Sequence, residues 1–259
     1  MIGTTPVIQI TNLHKYYGTT HVLKGIDLSV EAGQVVGYIG PNGAGKSTTL
    51  KTLIGLLTDF AGEVRVLGHD VKADPIAVKS RIGYVPENAS LYDTLTPMEY
   101  LQFIGQLYGM DNETIERRAF DLLKLFELKD YVDARMTTFS KGMRQKVLLI
   151  SGLLHNPELL FLDEPLSGLD ANAVVLVKAI IRQLADSGKT VFYSSHIMDV
   201  VEKISDRIII IAQGQIIADG TFAELQQQHS GSLEQLFGQL TGSDDQQDVA
   251  TEFIQTLSK

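Results

Sequence analysis

Gly40-Pro41-Asn42-Gly43-Ala44-Gly45-Lys46-Ser47, followed by Thr48, reads as G-x-x-x-x-G-K-[ST], and the residues on either side decide how it folds. The apolar run VVGYI precedes it at 35–39, and Leu50, Leu53, Ile54 and Leu57 follow at i, i+3, i+4, i+7, one apolar face of a helix. In a strand–loop–helix setting the glycines let successive backbone N–H groups turn inward around phosphate oxygens. The helix N-terminus adds its partial positive charge. Lys46 then reaches the β and γ phosphates, and the Ser47 hydroxyl is placed to ligate Mg²⁺. The plainer alternative, a glycine turn with an incidental lysine, leaves the flanking strand and helix unexplained. A nucleoside triphosphate site is expected.

On the N-terminal side, residues 7–38 read as short strands, IQI, IDLSV and VVGYI, with turns at Gly18 and Gly33. Strand pattern returns over 62–68 around Val64, Val66 and Leu67. Residues 88–156 differ: 100–108, 117–126 and 141–154 carry helical spacing, which marks an inserted helical subdomain. From Glu158 strand and helix alternate: ELLFL, a helix over 173–185 ended by Ser187-Gly188, then TVFYS. That order implies parallel pairing with a helical crossover, so an α/β fold with a mainly parallel sheet and an N-terminal antiparallel β subdomain. A hairpin follows, RIIIIA–QG–QIIADG. Leu233, Leu236, Phe237 and Leu240 then form a short amphipathic face, residues 243–248 are polar, and Val249, Phe253, Ile254 and Leu257 suggest one more helix. A surface helix pair or a partly disordered tail is favoured there over a dedicated partner-binding tail.

Composition removes several classes. Of 259 residues 44% are hydrophobic and 20% charged, ordinary for a globular chain large enough to bury a genuine core. Twenty-two Lys plus Arg against thirty-one Asp plus Glu give a net charge of −9, which argues against nucleic acid as a partner. There is no cysteine, so disulfides, thiol catalysis and Cys zinc sites are excluded. The longest stretches without Asp, Glu, Lys or Arg, 1–14 and 32–45, are too short and too polar to cross a bilayer. The first residues lack the features of a secretory signal. An intracellular protein is expected, brought to a membrane, if at all, by another chain.

Two further stretches carry chemistry. Leu159-Leu160-Phe161-Leu162-Asp163-Glu164 is an apolar strand ending in acids. Asp163 would lie at the carboxyl edge of the sheet beside the phosphate loop and hold Mg²⁺ through water. Glu164 is the candidate for polarising the attacking water. Two solvated acids opening a loop would look the same in isolation; the phosphate loop tips the balance. Phe139-Ser140-Lys141-Gly142-Met143-Arg144-Gln145 places Ser140 to cap a helix whose start offers a second anion site. From the local sequence alone, an ordinary capped helix is the better reading.

In this order, PNGAGKST, FSKGMRQK, LLFLDEP, SGLD and SSH closely resemble the ATP-binding subunit of an ABC transporter, over roughly residues 7–225. The resemblance implies an ATPase domain over 1–225, with 88–156 as its helical insert, and a helical tail over 226–259. It implies ATP and Mg²⁺ as ligands, a second ATPase subunit (homodimeric in the simplest case), and an integral-membrane permease that holds the chain at the cytoplasmic face of the membrane. Tyr17 in KYYG corresponds to the aromatic that stacks on adenine. Glu87 in YVPEN stands where the family usually has a Mg²⁺-sensing glutamine near the membrane subunit. Ser140 and Gly142, with Met143 in place of the signature glutamine and Lys141 in place of its first glycine, match the segment that covers ATP bound to another copy. Asp170 matches the aspartate that crosses the dimer interface, and His196 the histidine that contacts the γ-phosphate. His155 and His69 receive structural roles. YVPEN with FSKGMRQK, and the tail LEQLFGQLTG, resemble the subgroup that serves ABC-2-type exporters. The competing functional class is an ABC-type ATPase with no transporter. A small-molecule P-loop kinase would leave FSKGMRQK and SSH without a role.

Overall fold

The computed structural model describes residues 6–87, 91–228, 231–242 and 256–257. Strands β1 (Ile8–Tyr17), β2 (Thr20–Val30), β4 (Ala61–Val66) and β5 (His69–Asp70) form an antiparallel sheet in the order β2-β1-β4-β5. Six strands form the central sheet: β3 (Val35–Ile39), β6 (Ile82–Val85), β7 (Leu159–Asp163), β8 (Thr190–Ser194), β9 (Arg207–Ala212) and β10 (Gln215–Gly220). Their order is β10-β9-β3-β8-β7-β6, parallel throughout except for the β9–β10 hairpin. Every residue of β3, β7 and β8 is buried, as expected of parallel strands covered on both faces. Alternate side chains part: Val36, Tyr38, Phe161 and Phe192 face the β subdomain, while Ile39, Leu160, Leu162 and Tyr193 join the core shared with the helical insert.

The helices are α1 (Lys46–Leu53), α2 (Pro75–Lys79), α3 (Pro97–Leu107), α4 (Asn112–Leu125), α5 (Lys141–Leu153), α6 (Ala171–Asp186), α7 (Met198–Ile204), α8 (Phe222–Gln228) and α9 (Leu233–Thr241). The insert contains α3, α4 and α5, and their starts are set by caps rather than by the apolar spacing. Thr96 and Glu99 form a capping box with Pro97 in the first turn, and Asp111 accepts from the Thr114 amide. Both helices therefore begin upstream of the apolar periodicity.

Other elements differ from the expectation as well. The first strand runs on to Tyr17, because Asn12 at φ 49° makes a bulge that interrupts the alternation after Ile10 without ending the pairing. Helix α1 stops at Leu53, with Gly55 at φ 68°, so Leu57 lies beyond it. Strand β6 has only four residues and was not anticipated. Its Gly83 admits the Gly152 carbonyl of α5 where a Cβ would collide. Leu233 and Leu236 bury the amphipathic face of α9. The polar run 243–248 lies outside the described residues, and so does the last expected helix apart from Thr256 and Leu257. Among the described residues no helix is long and apolar enough to cross a membrane.

Candidate active site

The loop 40–45 joins β3 to α1, and its glycines are needed for separate reasons. Gly43 and Gly45 have φ 79° and 112°, conformations that a side chain resists. A Cβ on Gly45 would also stand 2.6 Å from Leu23 Cδ2, and one on Gly40 would collide with the Ile211 carbonyl. Thr49 buttresses the turn, its hydroxyl donating to the Gly45 carbonyl at 3.1 Å and lying 3.2 Å from the Tyr38 hydroxyl. Lys46 Nζ donates to the carbonyls of Gly40 at 2.6 Å and Pro41 at 3.1 Å. Burial holds the Lys46 pKa below the ordinary lysine value, opposed by the negative charges of Glu164, Asp163 and Glu87.

The parallel order of β3, β8, β7 and β6 brings their carboxyl ends side by side, and there a cavity of about 640 Å³ opens. Asn42, Gly43, Gly45, Lys46, Ser47, Thr48, Asp163, Glu164, Glu87, His196 and Tyr17 line it. Gly40 and Ala44 shape the loop from within; Ala44 is buried and its amide donates to Pro41 at 3.1 Å. Asp163, 6% exposed at the end of β7, accepts from the Ser194 hydroxyl. Glu164 takes φ 49° and its amide donates to the Ser194 carbonyl at 3.1 Å. This turns its side chain away from that of Asp163 and onto His196, with Oε2 2.8 Å from Nδ1. Glu164 is mostly buried there, while His196 is largely exposed. Val22 lines the cavity as well and carried no motif that would mark it. Ser194, the partner of Asp163, opens the SSH segment, in which the resemblance gives a role only to the histidine.

The oxygen donors fit Mg²⁺. A serine hydroxyl and a buried carboxylate beside a phosphate cradle suit a hard ion that keeps water and takes phosphate oxygens. Among the described residues no three or more His, Cys, Asp or Glu side chains form an all-protein metal cage.

Ser140, Gly142, Met143 and Asp170 do not line the cavity. Ser140 Oγ caps α5, accepting from the Met143 amide at 3.2 Å, and Met143 packs half-buried on the core. A Cβ on Gly142 would stand 2.7 Å from the Gly168 carbonyl. Asp170 caps α6 through the Ala173 amide at 2.9 Å; that bond, aided by Lys146 at 3.4 Å, keeps its carboxyl below the usual range. Two further bonds tie α5 to the loop after Glu164: Lys141 Nζ to Ser167 Oγ at 2.9 Å, and Gln145 Nε2 to the Pro165 carbonyl at 3.1 Å. His155 and His69 stay apart from the cavity, the one stacked on Tyr108 and the other beside Asp74.

A glycine loop at the head of a helix, an acid closing the neighbouring strand and a carboxylate–imidazole pair define a P-loop nucleoside triphosphatase. Comparison with known proteins narrows this. Residues 23–167 match the family model described as ABC transporter. The chain is 39% identical over 219 residues to the linearmycin resistance ATP-binding protein LnrL of Bacillus subtilis, covering 85% of this chain and 70% of that protein. It superposes on a solved ATP-binding subunit of an ABC transporter with TM-score 0.85 and 32% identity, over 90% of this chain and 99% of that one. A dimeric ATP-binding cassette in a post-hydrolysis state, bound to ADP and phosphate, superposes with TM-score 0.77 and 25% identity, over 83% of this chain and 98% of that one. The chain belongs to the ABC transporter family and is an ATP-binding, ATP-hydrolysing cassette of it.

Proposed function

We propose that this chain is the ATPase subunit of an ABC-2-type exporter and works as a pair of copies, each completing the other's site. The observation that carries the reading is the separation just described. Lys46, Ser47, Asp163, Glu164 and His196 share one cavity, whereas the Ser140–Gly142 helix start stands outside it. A second copy would bring that helix start onto the γ-phosphate. The dimeric likeness with ADP and phosphate supports this arrangement. The YVPEN and FSKGMRQK segments, together with a relative named for linearmycin resistance, support export.

Within one site the loop amides of 43–46 hold the phosphates, and Tyr17 stacks on the adenine. Lys46 exchanges its Gly40 and Pro41 carbonyls for β and γ oxygens. Ser47 and Asp163, with Glu87 in the same cavity lining, would hold Mg²⁺, and the ion when bound would neutralise developing phosphate charge. Glu164 accepts a hydrogen bond from the attacking water and aims it at the γ-phosphorus, giving ADP and phosphate. His196 leaves Glu164 to contact the γ-phosphate. Asp170 faces the partner across the interface. Closure is favoured by contacts that exist only in the ATP-bound pair, and hydrolysis removes them. Residues 1–225 act as the ATPase unit, with 88–156 as its insert and 226–259 as a tail. The motion passes through the Glu87 segment and the start of the insert to an integral-membrane permease, which holds the chain at the cytoplasmic face.

Affinity purification of the full chain from detergent-solubilised membranes tests the assignment. A multi-span protein should co-purify in stoichiometric amount. Recovery from the soluble fraction alone, with no membrane protein attached, would favour the transporter-free ATPase.

A further inference from the structure

Lys15 is buried to 5% side-chain exposure in β1, an unusual place for an ammonium group. Its Nζ donates to the Asp59 carbonyl at 2.5 Å and lies 3.1 Å from Asp59 Oδ2. The same nitrogen stands 4.9 Å from the centroid of the Tyr17 ring, inside the range of a cation–π contact. The β1–β2 register shifts between Lys15 and Tyr16, so simple alternation does not set their faces; the contact itself shows that the two side chains meet. Tyr17 ends β1 at a two-residue turn, Gly18-Thr19, and its ring is half-exposed on the cavity wall. A ring at the tip of such a hairpin has few neighbours to hold it. Asp59, in contrast, sits in the loop that leaves the phosphate-loop helix.

We propose that Lys15 is a positioning residue that fixes the Tyr17 ring against the α1–β4 loop and leaves its other face free for the nucleotide base. This rests on the reading that Tyr17 stacks on adenine. Lys15 does not line the cavity, so it acts through the tyrosine and not on the phosphates. The Asp59 carboxylate is fully exposed, so the ion pair is screened by water. The desolvated contacts are the carbonyl and the ring.

A double-mutant cycle separates this from a merely structural lysine. Dissociation constants of ATP and of inorganic tripolyphosphate, which carries no base, are measured for the wild type, Lys15→Met, Tyr17→Ala and the double variant. Lys15→Met should weaken ATP about 3- to 10-fold, between the exposed and the desolvated limits of a cation–π contact, and leave tripolyphosphate within about twofold. In the Tyr17→Ala background it should cause no further loss. Lys15→Gln keeps a donor for the Asp59 carbonyl while removing the charge, and should reproduce the ATP loss if Lys15→Met does not fold. Equal weakening of both ligands, or full additivity with Tyr17→Ala, overturns the proposal. If Tyr17→Ala weakens ATP and neither Lys15 variant does, stacking stands and the role of Lys15 is wrong. If Tyr17→Ala leaves ATP affinity unchanged, the stacking itself is wrong, and the role of Lys15 falls with it.

Discussion

Glu164 is held with φ 49° by two backbone bonds, its amide on Ser194 and its carbonyl accepting from the Ser167 amide at 3.1 Å. A glutamate in the left-handed region is uncommon, and such strain collects at functional positions. Here it separates two consecutive acids, one onto Ser194 and one onto His196. Glu164→Gln preserves shape and hydrogen bonding but cannot act as a base. It should therefore bind ATP with near wild-type affinity and lose at least about 100-fold in turnover, read by phosphate release. Comparable turnover in the variant would assign water activation to another group. Lys46→Ala removes the cation that bridges the loop to the phosphates. ATP at 100 times the wild-type Kd should stabilise the wild type by about 2.7 kcal/mol and this variant hardly at all, read as a thermal shift. The site residues with motifs were legible because phosphate chemistry restricts both residue type and spacing. Val22 and Lys15 were not, and Ser194 stood inside SSH with no role of its own: each reaches its role across a sheet or a hairpin, and nothing local distinguishes a lysine beneath a tyrosine from a solvated one.

At the scale of elements, glycine marks where helix and strand meet backbone to backbone. Gly83→Ala would push a methyl group into the Gly152 carbonyl and force α5 from β6. Overpacking of this kind costs about 1–3 kcal/mol, visible as a lower denaturant midpoint with an unchanged m-value. An unaltered midpoint would show that the contact yields without cost. The starts of β6 and β7 are also linked, Arg81 meeting both Glu158 oxygens at 2.7 Å. The Arg81 hydrogen bonds hold the Glu158 carboxyl below its ordinary value. The unfolded chain thus takes up the proton first. The pair's contribution is present above the ordinary carboxylate range and is lost as pH falls through the lowered value. Glu158→Gln should reduce stability at neutral pH by at most about 1 kcal/mol, the pair being exposed, and should flatten the acid limb of the stability curve. Long elements could be read from periodicity. Strand β6 could not, because four residues with a central glycine offer too short a pattern, and the bulge at Asn12 concealed how far β1 extends.

For the whole molecule, the α/β class and the helical insert were readable because buried parallel strands are continuous apolar runs and the insert changes period abruptly. What a linear reading leaves open is which groups share a cavity. The sheet order gathers the ends of four strands around one pocket and leaves the Ser140 helix start elsewhere, tied to the loop after Glu164. Ser140→Arg should leave ATP binding by one copy intact and prevent two copies from closing, read as lost ATP-dependent association. The most direct measurement is sedimentation velocity of the Glu164→Gln protein with saturating Mg²⁺ and ATP. The account predicts a species of twice the chain mass that reverts when ADP replaces ATP. A single-chain species at full nucleotide occupancy would contradict it.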